Sequence, residues 1–160
     1  MKKIVVYYSM TGNCEYVAEK IREKTKADVL RIKPIKEYPS KGFRKFFVGG
    51  KSAVMKELPK LEEYKFDSSK YDEIIFGLPV WASSVTPPMR TFIVNNKEAL
   101  KGKKLSVFVT MSGNGANKVI EDMRKILDID KFDNKLVLID PKGKIDKEKD
   151  KQIEEFCNKL

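Results

Sequence analysis

Residues 3–14 read KIVVYYSMTGNC, and EYVAEKI follows at residues 15–21. The first half of this stretch, Lys3–Tyr8, is almost continuously β-branched or aromatic, which is typical of a strand buried in a parallel sheet. From Asn13 to Thr25 the apolar residues recur at positions 14, 17, 18 and 21, the spacing of one helix face. The stretch therefore predicts a strand, a tight polar turn and a helix, the unit from which doubly wound α/β sheets are built.

The same alternation continues along the chain. Further strands are predicted over Asp28–Ile32, Asp72–Gly77, Lys104–Thr110 and Lys135–Asp140. Further helices are predicted over Pro88–Asn95, Asn117–Leu127 and Asp146–Asn158. This order predicts one α/β domain over residues 1–160, a doubly wound parallel sheet with helices on both faces. The connection from Lys33 to Lys70 is much longer than a plain loop requires, and we expect one or two short helices in it around Gly49-Gly50.

Composition excludes several kinds of chemistry. The chain has no histidine, which removes Ser-His-Asp and Cys-His catalysis and the commonest zinc ligand. Two cysteines form neither a disulfide framework nor a zinc spacing, and the apolar run near the N-terminus is too short for a signal peptide. No apolar run approaches the roughly 20 residues that span a bilayer. Any chemistry must therefore come from carboxylates, lysines, hydroxyls, backbone groups or a bound cofactor. We expect a cytoplasmic protein with no membrane span and no metal site, and we single out no catalytic side chain.

The turn Ser9–Cys14 is a candidate phosphate site. In a doubly wound fold, ligands lie at the carboxyl ends of the strands, where this turn joins a strand to a helix. Its hydroxyls, amide and glycine, together with the unpaired N–H groups of the helix, form a cradle suited to phosphate. The alternative is that Thr11 or Asn13 merely caps the helix. The P-loop and dinucleotide-binding patterns fit this turn badly, as does the tyrosine phosphatase loop, because Ser9 stands where that loop needs its nucleophilic cysteine.

Two other segments make the pattern more specific. GLPVW at residues 77–81 ends the predicted third strand, and TMSGNG at residues 110–115 ends the fourth. With SMTGN at residues 9–13, these loops resemble the phosphate loop and the two ring-binding loops of the flavodoxin family, and the resemblance covers essentially the whole chain. It implies a five-stranded parallel sheet of order 2-1-3-4-5 that binds FMN noncovalently.

The resemblance also implies which residues hold the cofactor. Around the phosphate it places Ser9, Met10, Thr11, Gly12, Asn13 and Cys14. Along the isoalloxazine ring it places Pro79, Val80, Trp81 and Ala82. At the other edge of the ring it places Thr110, Met111, Ser112, Gly113, Asn114 and Gly115. The one tryptophan, Trp81, offers a flat face for stacking, although an ordinary core aromatic would also be found there.

Three departures from the family pattern bear on function. Cys14 stands where the family usually has a hydroxyl, and we interpret it as a tolerated substitution. The loop at 111–117 lacks an aromatic, so one ring face is either open to a substrate or covered by residues of the long connection, for which the candidates are Tyr38, Phe43, Phe46 and Phe47. The net charge is +10, whereas the electron carriers of the family are typically acidic. Cations near the cofactor favour reduced, anionic flavin and suit acidic partners or anionic substrates.

Two classes of function remain. The first is an FMN protein that passes electrons to a redox partner protein or reduces a small-molecule acceptor such as a quinone, with NADH or NADPH consumption if it is an enzyme. The second is a phosphate- or nucleic-acid-binding module without redox activity. The scattered lysines and the lack of a basic-aromatic repeat argue against nucleic acid. We expect a monomer or a homodimer.

Overall fold

A computed structural model of the chain describes residues 1–39, 48–143 and 146–160. Strands and helices alternate along the described residues, as the sequence predicts. The strands are β1 (Lys3–Tyr7), β2 (Asp28–Arg31), β3 (Glu73–Pro79), β4 (Lys104–Met111) and β5 (Asn134–Ile139). The helices are α1 (Asn13–Thr25), α2 (Gly50–Val54), α3 (Pro87–Leu100), α4 (Ala116–Leu127) and α5 (Lys147–Cys157).

The five strands form one parallel sheet. Their order is β2-β1-β3-β4-β5, so the predicted order is confirmed. Strand β1 lies between two partners, with Val6 opposite Leu30 of β2 and Phe76 of β3. Because every pairing is parallel, the carboxyl ends of all five strands lie at one edge of the sheet.

Helices cover both faces of the sheet. Alternate residues of β1 point to opposite faces, with Val6 in the core beside α3 and α4 and Val5 in the core beside α1 and α5. Strands buried on both faces read as continuous apolar runs, which is the pattern of residues 4–8. Burial on both sides fixes the register and so the positions of the loops that leave the strands.

Some boundaries differ from the sequence predictions. Helix α3 begins at Pro87, because proline suits the first helical positions, and it continues to Leu100. It thus ends five residues beyond the predicted end at Asn95, and the buried side chain of Leu100 holds its last turn against the core. Strand β3 runs two residues further than predicted, to Pro79.

The long connection contains the short helix α2 and a 3₁₀ turn at Ser68–Lys70, in agreement with the expectation of one or two short helices. Phe43, Phe46 and Phe47, three of the four candidates for covering the ring, lie outside the described residues. Among the described residues, no helix is both long enough and apolar enough to cross a bilayer.

Candidate functional site

A cavity of about 480 Å³ opens at the carboxyl ends of β1, β3 and β4. This volume lies within the range of roughly 300–1,000 Å³ that is usual for small-molecule sites. The last residues of β3 and β4 and the loops after the three strands supply nearly all of its lining. The lining residues are Met10, Thr11, Asn13, Gly50, Pro79, Val80, Trp81, Ala82, Ser83, Thr110, Met111, Ser112, Gly113 and Asn114.

The structure therefore brings together twelve of the sixteen residues that the sequence singles out. The other four belong to the same loops but do not line the cavity: Ser9, Gly12, Cys14 and Gly115. Sequence reasoning missed Gly50 and Ser83. Gly50 begins α2, and the Gly49-Gly50 pair was a usable signal because glycines allow a close approach to a neighbouring loop.

The turn before α1 leaves several N–H groups available to a ligand. Gly12 adopts a left-handed conformation (φ 94°), and its N–H donates to the Ser9 hydroxyl at 3.1 Å. The first backbone hydrogen bond into α1 runs from the Tyr16 N–H to the Gly12 carbonyl at 3.0 Å. The N–H groups of Asn13 and Cys14 consequently find no acceptor among the described residues. They are the unpaired donors that make a helix N-terminus attractive to anions.

The side chain of Asn13 binds another loop and does not cap α1. Its Oδ1 accepts the Lys142 N–H at 3.0 Å, and its Nδ2 donates to Asp140 Oδ1 at 3.5 Å. The Ser112 hydroxyl donates to the same Asp140 oxygen at 3.1 Å. Asp140, just after β5, thus joins the turn after β1 to the loop after β4 and holds two walls of the cavity together.

The thiol of Cys14 points away from the cavity into the core. Its side chain is buried, and Sγ lies 3.1 Å from the Thr110 hydroxyl. Burial raises the pKa of the thiol from 9.0 to about 12, which outweighs the opposing effect of the Thr110 hydrogen bond. A thiol that stays protonated at neutral pH is a poor nucleophile, and this geometry assigns Cys14 a packing role.

Trp81 belongs to both the core and the cavity wall. It is 8% exposed and meets Tyr8 and Tyr38 edge to face, with ring centroids 5.5 and 5.0 Å away. Gly49 approaches its benzene ring so closely that an added Cβ would lie 3.2 Å from it. The indole is therefore fixed on several sides, and its remaining exposed part faces the cavity.

The loop after β3 contains a tight turn with two consecutive left-handed residues, Ala82 (φ 48°) and Ser83 (φ 53°). The Ser84 N–H closes it by donating to the Trp81 carbonyl at 2.9 Å. Two positive φ values mark a type I′ turn, which usually takes Asn-Gly. Gly115 packs closely against this turn, and only glycine fits there, since a Cβ at position 115 would lie 2.5 Å from the Ser83 hydroxyl oxygen. Strain of this kind in non-glycine residues is concentrated at functional sites.

The described parts of the chain hold no group of three or more histidine, cysteine, aspartate or glutamate side chains arranged to bind a metal ion. What the loops offer a ligand is backbone N–H groups, hydroxyls and apolar surface.

Comparison with known proteins agrees with this architecture. A family model described as Flavodoxin matches residues 2–152. A flavoprotein from Lactobacillus acidophilus, solved in complex with FMN, is 19% identical, with 97% of each chain covered and a TM-score of 0.75. The two-electron reduced flavodoxin of Megasphaera elsdenii is 19% identical, with 99% of each chain covered and a TM-score of 0.58. Oxidised flavodoxin 2 from Bacillus cereus is 18% identical, over 99% of this chain and 97% of that one, with a TM-score of 0.58. At these identities the structural likeness shows a common fold.

Proposed function

Because the chain belongs to the flavodoxin family, we propose that it binds FMN noncovalently in the cavity described above and uses it to transfer electrons to a redox partner protein or to a small acceptor. The observation that carries this proposal is the meeting of three loops, after β1, β3 and β4, around one cavity at the carboxyl edge of the sheet.

The residues of the cavity fit a phosphorylated, planar ligand. The turn Ser9–Cys14 offers a left-handed glycine, unpaired N–H groups and the exposed Thr11 hydroxyl, all of which suit a phosphate. Val80, Trp81 and Met111 supply apolar walls beside it, which suit a flat ring system. The same cavity thus has a polar end and an apolar end, as FMN has.

When bound, FMN supplies the redox chemistry, and the chain's own residues bind and orient it. The N–H groups of Asn13 and Cys14 would hold the phosphate, and Trp81, fixed by Tyr8 and Tyr38, would limit where the ring can lie. Residues 112–114 are exposed at the mouth of the cavity, so a partner or a small acceptor can approach from that side.

Titration of the apoprotein with FMN tests the proposal. We expect one FMN per chain, with quenching of flavin fluorescence and a yellow holoprotein. A chain that cannot be reconstituted with FMN would favour the alternative of a binding module without redox activity.

A pair of threonine variants locates the phosphate. Thr11→Ala is expected to weaken FMN binding by about 10- to 150-fold, because a hydrogen bond to a charged group is worth roughly 1.5–3 kcal/mol. Thr25→Ala is the matched control, since Thr25 lies at the far end of the same helix and its hydroxyl bonds, within the described part of the chain, only the Ile21 carbonyl and the Ala27 N–H. Equal affinities in the two variants would mean that Thr11 does not touch the ligand.

A further assay distinguishes an electron carrier from an enzyme that acts alone. Steady consumption of NADH or NADPH with a quinone by the holoprotein alone would establish an enzyme. Reduction only in the presence of a partner reductase would establish a carrier.

A further inference from the structure

The side chain of Lys142, in the turn after β5, lies across the turn before α1. An added Cβ at Gly12 would lie 2.7 Å from Lys142 Nζ and 3.2 Å from its Cδ. The lysine side chain therefore occupies the space that a side chain at position 12 would fill. Nothing in the sequence PKGK at residues 141–144 indicates this contact, because Lys142 and Gly12 are far apart along the chain.

The backbone of Lys142 is fixed to the same turn. Its N–H donates to Asn13 Oδ1 at 3.0 Å, and the other end of the Asn13 amide donates to Asp140 at 3.5 Å. The Gly143 N–H donates back to the Asp140 carbonyl at 3.1 Å. These bonds hold the start of the Lys142 side chain beside α1, so that only its four-carbon stem is free to move.

The surroundings of the Lys142 side chain carry charges of both signs. The N-terminus of α1 carries a partial positive charge, and a cation beside it is unfavourable. Three glutamates of α1, Glu15, Glu19 and Glu23, line a shallow pocket together with Lys142, and Asp140 stands two residues before it in the chain. Glu15 pairs with Arg31 at 2.9 Å and Glu19 with Arg22 at 2.6 Å, while Asp140 accepts hydrogen bonds from Ser112 and Asn13. Among the described residues, the ammonium of Lys142 has no ion-pair partner within 4 Å. A dianion in the turn would make both positive groups favourable at once.

We propose that Lys142, in the loop after β5, binds the phosphate of the cofactor. Its ammonium pairs with the phosphate dianion held by the turn Ser9–Cys14, and this ion pair selects FMN over unphosphorylated riboflavin. The inference rests on the proposed function, and it adds to the three loops a cation from the loop after β5. It also assigns a binding role to one lysine of this basic chain.

Binding of FMN and riboflavin to three proteins tests the proposal: the unaltered chain, Lys142→Met and the matched control Lys147→Met. Lys147 is another exposed lysine, at the start of α5, so its loss changes the net charge equally. We expect Lys142→Met to weaken FMN binding about tenfold, the lower end of the effect of one lost charge-assisted hydrogen bond, because Lys142 is exposed. Its riboflavin affinity should stay within twofold of that of the unaltered chain, and Lys142→Arg should retain most of the FMN affinity.

The salt dependence gives a second readout. FMN affinity of the unaltered chain should fall as salt rises, and Lys142→Met should flatten that dependence. If the unaltered chain binds FMN and Lys142→Met binds it within twofold, or loses FMN and riboflavin equally, this inference is overturned and the proposed function stands. If the unaltered chain does not bind FMN at all, the proposed function fails, and the inference fails with it.

Discussion

Replacing Gly115 by alanine tests whether the loops after β3 and β4 are locked together as described. Gly115 has φ 100°, and an added Cβ would lie 2.5 Å from the Ser83 hydroxyl oxygen and 3.0 Å from Ser83 Cα. The hydroxyl can turn away, but the α-carbon belongs to a tight turn that already has two left-handed residues. The variant must therefore shift backbone, and the shift would open the cavity wall.

The loss of stability caused by Gly115→Ala can be calculated from these contacts. A side chain at such a φ costs about 1–2 kcal/mol, and overpacking against a fixed neighbour costs about 1–3 kcal/mol. We expect Gly115→Ala to lower the free energy of unfolding of the apoprotein by about 2–5 kcal/mol and to weaken FMN binding as well. Chemical denaturation at equilibrium measures the first quantity, through the midpoint and the slope.

Two further variants separate strain from clash. Gly113→Ala is the matched control, because its added Cβ meets no heavy atom within 4 Å and its φ is not left-handed; its stability should change by less than about 0.5 kcal/mol. Ser83→Gly removes the hydroxyl and relieves the positive φ of residue 83. The double variant Ser83→Gly, Gly115→Ala should thus be more stable than the sum of the single effects by about 1 kcal/mol. Strict additivity, or a Gly115→Ala protein as stable as the control, would refute the contact.

Two other predictions concern the core. An added Cβ at Gly77, in the middle of β3, would lie 2.1 Å from the tip of the Phe108 ring, so Gly77→Ala should cost about 1–3 kcal/mol of unfolding free energy, and Phe108→Leu in the same chain should recover part of it; no recovery would contradict the contact. Because burial raises the pKa of Cys14 from 9.0 to about 12, the native state keeps a proton that the unfolded chain loses between these pH values. Unfolding free energy should therefore fall as pH rises above 9, by up to about 1.4 kcal/mol per pH unit from this group, and Cys14→Ala should remove that part of the slope; equal slopes would mean an exposed thiol.

The sheet could be predicted from sequence because its signal is local. Residues 4–8 are apolar at every position, which suits a strand buried on both faces, and the apolar positions of residues 14–21 have helical spacing. The type of each element, and the order of the elements along the chain, can therefore be predicted from short stretches of sequence. The position of the turn Ser9–Cys14 at the carboxyl edge followed from the same reasoning, whereas the strand order and the part played by the loops after β3 and β4 came from the family resemblance. The individual residues of the site also came from that resemblance, and their contacts with FMN stay predictions.

The contacts between distant loops could not be predicted in this way. The side-chain amide of Asn13 was expected to contact a ligand. It is instead hydrogen-bonded to Asp140 and Lys142, which are distant in sequence and which no local pattern connects with Asn13. The packing of Trp81 between Tyr8 and Tyr38 likewise depends on the path of the long connection, for which the sequence has no periodic signal. These features arise from tertiary contacts, which a pattern of neighbours does not encode.

The central claim is that FMN binds at the carboxyl edge of the sheet, in the cavity formed by three loops. Titration of the ¹⁵N-labelled apoprotein with FMN, followed by amide NMR, measures both binding and its location. We predict saturation at one equivalent, with the largest shifts at the amides of residues 9–14, 80–82 and 111–115. Absence of saturable shifts, or shifts concentrated at the opposite edge of the sheet around residues 67–72, would contradict the account.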